Sequence, residues 1–138
     1  MIAYVDASIL LRVVLRQPGA LREWTTIERG VSSALVQLES LRTLDRLRLA
    51  AGLDDEAVAL RRETVYRLTE ALEIVEPTLP VLRRAAQPLP VALGTTDAIH
   101  LATATLWREL RGQDLVMATH DRALGLAARA SGLRVVGL

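Results

Sequence analysis

The chain has no cysteine and no phenylalanine, and its 17 basic residues are all arginine, so lysine is missing too. Without cysteine there is no disulfide framework, no thiolate nucleophile and no thiolate-bound metal. Without lysine there is no Schiff-base chemistry and no mechanism that turns on a lysine ammonium. An arginine-only basic set is also what a biased genome composition produces. Aromatic residues make up only 3% of a chain that is 51% apolar, so Leu, Val, Ile and Ala must fill the interior. No apolar run approaches the roughly 18 residues that a membrane-crossing helix needs. No basic stretch leads into an apolar one near Met1, so a secretory signal is not expected and the cytoplasm is the expected location. The net charge of +1 carries no message about partners. At 138 residues, one domain spanning 1–138 with a substantial core is expected.

What is present begins with Ile2-Ala3-Tyr4-Val5-Asp6-Ala7-Ser8, a short apolar run closed by a carboxylate. Such a run reads as a buried strand that delivers its acid at the C-terminal end, the sheet edge where ligands bind in open α/β folds. Ala7 to Arg16 reads as a helix capped by Asp6 or Ser8, and Ala20 to Glu28 as another short helix after Pro18-Gly19. Gly30 to Ser33 is a weak strand signal. Ala34 to Ala51 is strongly helical, with leucines at 35, 38, 41, 44 and 47, and Gly52 is placed to stop it. Asp54 should cap the next helix, through about Thr69. Further strands are expected at Leu72–Val75, Leu115–Ala118 and Arg134–Val136. Helices are expected after Thr78, from Thr95 to about Leu110 and from Asp121. Strands alternating with helices imply a parallel sheet covered on both faces.

Four carboxylates stand out by position. Asp6 ends the first strand, Glu39 lies inside the long helix, Asp97 is in the first turn of the Thr95 helix, and Asp121 opens the helix after the Leu115 strand. Capping and the helix dipole would account for Asp6, Asp97 or Asp121 taken singly. Glu39 falls on the helix side of Leu35 and Val36, toward the sheet, and an ion pair with Arg42 is its ordinary explanation. Taken together, the four would meet at the sheet's C-terminal edge. Clustered carboxylates raise one another's pKa unless a cation intervenes. All-oxygen ligands select a hard ion, Mg2+ or Mn2+, which lowers the pKa of a bound water and offsets charge on a phosphate ester.

Four segments carry a family resemblance: Tyr4 to Ser8, Ser33 to Arg42, Thr95 to Ala104 (Thr-Thr-Asp-Ala-Ile-His-Leu-Ala-Thr-Ala) and Met117 to Asp121. In this order and over this length, the chain resembles the PIN-domain proteins, specifically the toxin ribonucleases of VapBC toxin–antitoxin systems. The resemblance implies a three-layer α/β/α sandwich with a central parallel sheet of four or five strands. It implies a Mg2+- or Mn2+-dependent endoribonuclease acting on RNA, often a homodimer, silenced by a cognate VapB-like antitoxin. Asp6, Glu39 and Asp97 match the three main acids of the family and Asp121 the fourth, and all four would hold metal. Ser8 and Thr119 match small hydroxyl residues that support the metal or its waters. His120 departs from the pattern, standing where an Asn or Asp usually precedes the fourth acid.

Two rival readings carry different expectations. A phosphate-signalling receiver domain also gathers acids at this edge, but it needs a lysine that the chain lacks. A catalytically silent α/β module would use its acids only as helix caps. His100, one turn after Asp97, reads as structural rather than substrate-binding, and His120 is not needed as a base. Arg42 is the best candidate to meet RNA phosphates, ahead of Arg12 and Arg16. Trp24 and Trp107 read as packing or interface residues.

Overall fold

A computed structural model describes residues 1–138. Five strands form one sheet: β1 (Ile2–Val5), β2 (Arg29–Ser33), β3 (Glu73–Val75), β4 (Val116–Ala118) and β5 (Arg134–Val136). Their order is β3-β2-β1-β4-β5, and every pairing is parallel. β1 therefore lies at the centre, with Tyr4 opposite Val31 on one side and Met117 on the other. The winding direction of the chain reverses at β1, and in such folds ligands bind beyond the strand ends at that reversal.

The pleat of β1 assigns its side chains to two cores. Tyr4 packs with Met117, Leu101, Trp107 and Leu124 on one face; Ala3 and Val5 join Ile9, Leu10, Val36 and Ala118 on the other. Each large side chain buried in this way contributes roughly 1.5–3 kcal/mol. The Tyr4 face is covered by α5 (Thr95–Arg111) and α6 (Arg122–Ala130), with α4 (Leu79–Ala85) packed on α5. The Val5 face is covered by α1 (Ala7–Val14), α2 (Leu35–Ala51) and α3 (Asp55–Glu70), which also pack on one another through Val14, Leu44 and Val65. The result is the expected three-layer α/β/α sandwich, with five strands. No helix is long and apolar enough to cross a membrane.

Local signals set most boundaries. The Asp54 carboxylate accepts the Ala57 N–H at 2.8 Å and starts α3. Gly52 ends α2 at φ 63°, a left-handed conformation that glycine adopts without a Cβ penalty. Two expectations are corrected. Ala20 to Glu28 does not form an α-helix: only Arg22–Thr26 winds, as a 3-10 turn whose leading residue Leu21 makes no side-chain cap. Five residues at that pitch suffice to bring Leu21 and Trp24 onto the α1 core. The leucine row of α2 also buries less than its spacing suggests. Leu44 is buried, whereas Leu38 is 57% exposed, because a strict three-residue step drifts around a 3.6-residue helix.

Candidate active site

The C-terminal edge of the sheet opens into a cleft of about 420 Å3. Asp6, Glu39, Asp97 and Asp121 all line it, so the four acids singled out in the sequence share one space. Each arrives on a different element. Asp6 follows β1 and caps α1, its Oδ1 accepting the Ile9 N–H at 3.2 Å. Glu39 projects from the second turn of α2. Asp97 sits in the first turn of α5, and Asp121 follows β4 and caps α6 by accepting the Leu124 N–H at 2.9 Å. Capping thus holds for Asp6 and Asp121. It does not account for Asp97, because Gly94 occupies the cap position of α5.

Asp6 is the most tightly held of the four. The Ser8 hydroxyl donates to Oδ1 and the Thr119 hydroxyl to Oδ2, both at 2.6 Å. These supports are themselves fixed: Ser8 Oγ accepts the His120 N–H at 2.8 Å, and Thr119 Oγ1 accepts the Asp121 N–H at 2.9 Å. Burial raises the Asp6 pKa, and the donors from Ser8, Thr119 and Ile9 pull against that rise. Asp97 is also raised, first by burial and then by the negative charge of Asp121, with smaller contributions from Asp6 and Glu39. Asp97 therefore senses the charge of the other three.

Glu39 does not pair with Arg42. Its Oε2 meets His100 Nε2 at 2.9 Å, while Arg42 turns to Asp45 at 3.3 Å, where both side chains are more than half exposed. Exposed pairs of that kind contribute about 0–1 kcal/mol. His100 is buried, with Nδ1 at 2.7 Å from the Tyr4 hydroxyl. Its link to Glu39 joins residues 61 positions apart, and no local spacing signals it. Arg46 also lines the cleft beside Arg42. The sequence reading did not single it out, although a step of four on a helix places the two arginines on one face.

His120 faces away from the acids. It lines a separate cavity with residues 19–23, and its Nδ1 bonds the Gly137 carbonyl at 2.7 Å. Trp107 is packing, as expected; Trp24 lies partly buried against the α1 core. A groove of about 530 Å3 between α4 and the start of α5 is mostly apolar, and its polar side chains are Gln87 and Thr95.

No three His, Asp or Glu side chains close into a cage able to grip an ion unaided. The donor chemistry nevertheless fits a hard divalent cation. All four acids offer oxygen, and Mg2+ commonly keeps several waters while taking only one or two carboxylates, which suits an open cleft better than a closed cage.

The sequence profile of the PIN domain family matches residues 3–130. The chain belongs to the PIN domain family. Among PIN-domain relatives, ribonuclease VapC46 of Mycobacterium tuberculosis (strain H37Rv) is 34% identical over 137 residues, covering 96% of this chain and 95% of the relative. Ribonuclease VapC47 of the same species (strain CDC 1551) is 29% identical over 136 residues, covering 97% and 91%. The solved structure of VapBC2 from Rickettsia felis, bound to a DNA fragment from its promoter, superposes with a TM-score of 0.66 at 11% identity, covering 98% of this chain and 97% of that one. A likeness at that identity speaks for the PIN fold alone.

Proposed function

We propose that this PIN domain is a VapC-type endoribonuclease, the toxin of a type II toxin–antitoxin pair, which hydrolyses RNA phosphodiester bonds with Mg2+ or Mn2+ held by Asp6, Glu39, Asp97 and Asp121. The observation that carries the reading is Asp97. It caps nothing, lines the cleft with the other three acids, and is pushed up by burial and by their charge. When bound, the cation would activate a water and offset charge on the phosphate.

The chain's own residues have separable tasks. Ser8, Thr119 and the Ile9 N–H orient both oxygens of Asp6, so that acid needs no reorganisation to serve as a ligand. Asp97 and Asp121 supply further negative charge beside it. Arg42 and Arg46 stand on the α2 wall, where they can meet the phosphates flanking the scissile bond. The ribonuclease names of the VapC46 and VapC47 relatives support the substrate class. A cognate antitoxin and a homodimer are proposed on the family resemblance.

The test is cleavage of labelled RNA by the purified protein with Mg2+, Mn2+ or a chelator. Cleavage should require the ion. Asp97→Asn should lose at least the roughly 100-fold that disturbing a ligand's support already costs, with its circular dichroism unchanged. The silent-module reading keeps one point in its favour, the caps formed by Asp6 and Asp121. It predicts that Asp97→Asn and the chelator change nothing measurable, including thermal stability in Mn2+.

A further inference from the structure

A line of hydrogen bonds crosses the molecule from the central strand to the cleft wall. The Ser33 N–H donates to the Tyr4 hydroxyl at 3.0 Å, the hydroxyl meets His100 Nδ1 at 2.7 Å, and His100 Nε2 meets Glu39 Oε2 at 2.9 Å. Tyr4 is fully buried and His100 is 1% exposed, and the two rings also touch edge to face with centroids 5.8 Å apart. Only Glu39, with its side chain 26% exposed, reaches solvent.

The protons on this line have one consistent arrangement around a neutral ring. Tyr4 Oη accepts the Ser33 N–H and keeps its own hydrogen to donate. In a neutral ring Nε2 faces a carboxylate oxygen and so carries the proton, which leaves Nδ1 to accept the Tyr4 hydrogen. The ring proton therefore sits on Nε2 and points at Glu39. The opposite tautomer would set a bare Nε2 lone pair against a carboxylate oxygen, a repulsive contact. A flexible glutamate at the cleft wall is thereby held by one oxygen, Oε2, while Oε1 has no protein partner.

We infer that His100, braced by Tyr4, is a positioning residue that fixes the Glu39 carboxylate at the cleft and turns its second oxygen toward the ion. The inference rests on the reading of Glu39 as a metal ligand. Neither ring touches substrate; both act through Glu39, as residues behind a metal ligand commonly do.

Equilibrium Mn2+ binding, measured by calorimetry on the full chain, provides the main test. His100→Leu removes the donor and should weaken binding by about 10–100-fold. His100→Gln places an amide N–H near the former Nε2 and should recover most of the loss. In RNA cleavage, His100→Leu should lower kcat with KM for RNA unchanged. Equal Mn2+ affinity in wild type and a folded His100→Leu would overturn the inference, and so would a His100→Gln variant no better than His100→Leu. Wild-type protein that binds no Mn2+ would instead remove the metal reading itself. Should His100→Leu fail to fold, nitrogen-15 NMR of the wild-type ring decides: a proton on Nε2 is expected, and a proton on Nδ1 alone overturns the arrangement.

Discussion

At the N-terminal end of the strands, Glu73 receives the Trp107 indole N–H at 2.9 Å and pairs with both Arg29 and Arg111, whose guanidinium groups also lie over the Trp107 ring. At the C-terminal end, Asp97 has three acids for neighbours and no arginine paired with it. The two carboxyls shift in opposite directions. Glu73 is lowered, first by the Trp107 hydrogen bond and then by its arginines, whereas burial and like charge raise Asp97. The same fold thus satisfies an acid completely where it joins β2, β3 and α5. It leaves acids short of positive charge where the winding direction reverses. Arg42 and Arg46 line the cleft, yet neither pairs with its four acids: Arg42 bonds Asp45 and Arg46 the Thr43 hydroxyl. Acids left without a paired arginine at one end of a sheet mark where an outside cation has most to gain.

The sharpest way to break this contrast is to remove one acid from each end. Asp6→Asn should cut RNA cleavage by at least about 100-fold while keeping the α1 cap, because Asn caps as well as Asp. Glu73→Ala should leave cleavage at the wild-type rate. Equal losses in both variants would mean that the two ends are not functionally distinct.

Stability in the presence of Mn2+ is the next discriminator. At 100 times its dissociation constant, an ion that binds only the folded state stabilises it by about 2.7 kcal/mol. Wild type and Glu73→Ala should both show that gain in urea denaturation, and Asp97→Asn should show less.

Without metal the order reverses. Glu73→Ala strands the Trp107 N–H and releases two arginines, and should cost about 1–2 kcal/mol, since hydrogen bonds to charged groups are worth roughly 1.5–3 kcal/mol before solvent exposure reduces them. Asp97→Asn should be neutral or slightly stabilising.

The smallest effect is the pH dependence of these differences in metal-free protein. The Asp97 carboxyl has a raised pKa in the folded state, so the fold binds more protons than the unfolded chain between the two pKa values. Wild type should therefore lose stability relative to Asp97→Asn as pH rises out of the ordinary carboxyl range. Glu73 is lowered, so its contribution is present above the unfolded pKa and disappears as pH falls through the folded one. Melting curves of wild type and each variant across pH 3–8 would show slopes of opposite sign.

Much of this was legible in residue order because the signals are local. Gly52, Asp54 and Asp121 mark helix ends by their own backbone and capping chemistry, and α4 begins after Thr78 as expected although that side chain makes no cap. The four acids were legible because strand ends and helix starts fall together at one edge. The weak strand around Gly30 was hard to read because Ser32 and Ser33 interrupt its apolar pattern. Both are fully buried there: Ser32 Oγ donates to the Val5 carbonyl and the Ser33 N–H to the Tyr4 hydroxyl, bonds that depend on β1 lying alongside. The Glu39–His100 contact and the Glu73 cluster were not legible for the same reason. Their partners are fixed by packing between α2, α5 and the sheet, and sequence spacing carries no trace of it.

Thr119 donates to a carboxylate 113 residues earlier in the chain. During synthesis Asp6 is made long before its brace, its neighbouring strand β4 and the fourth acid. A partly made chain can therefore carry three of the acids and still have no formed cleft, because β4 is what seats Asp6 against Thr119. The cleft, and with it any activity that needs all four acids, waits until β4 has been made and can pair with β1.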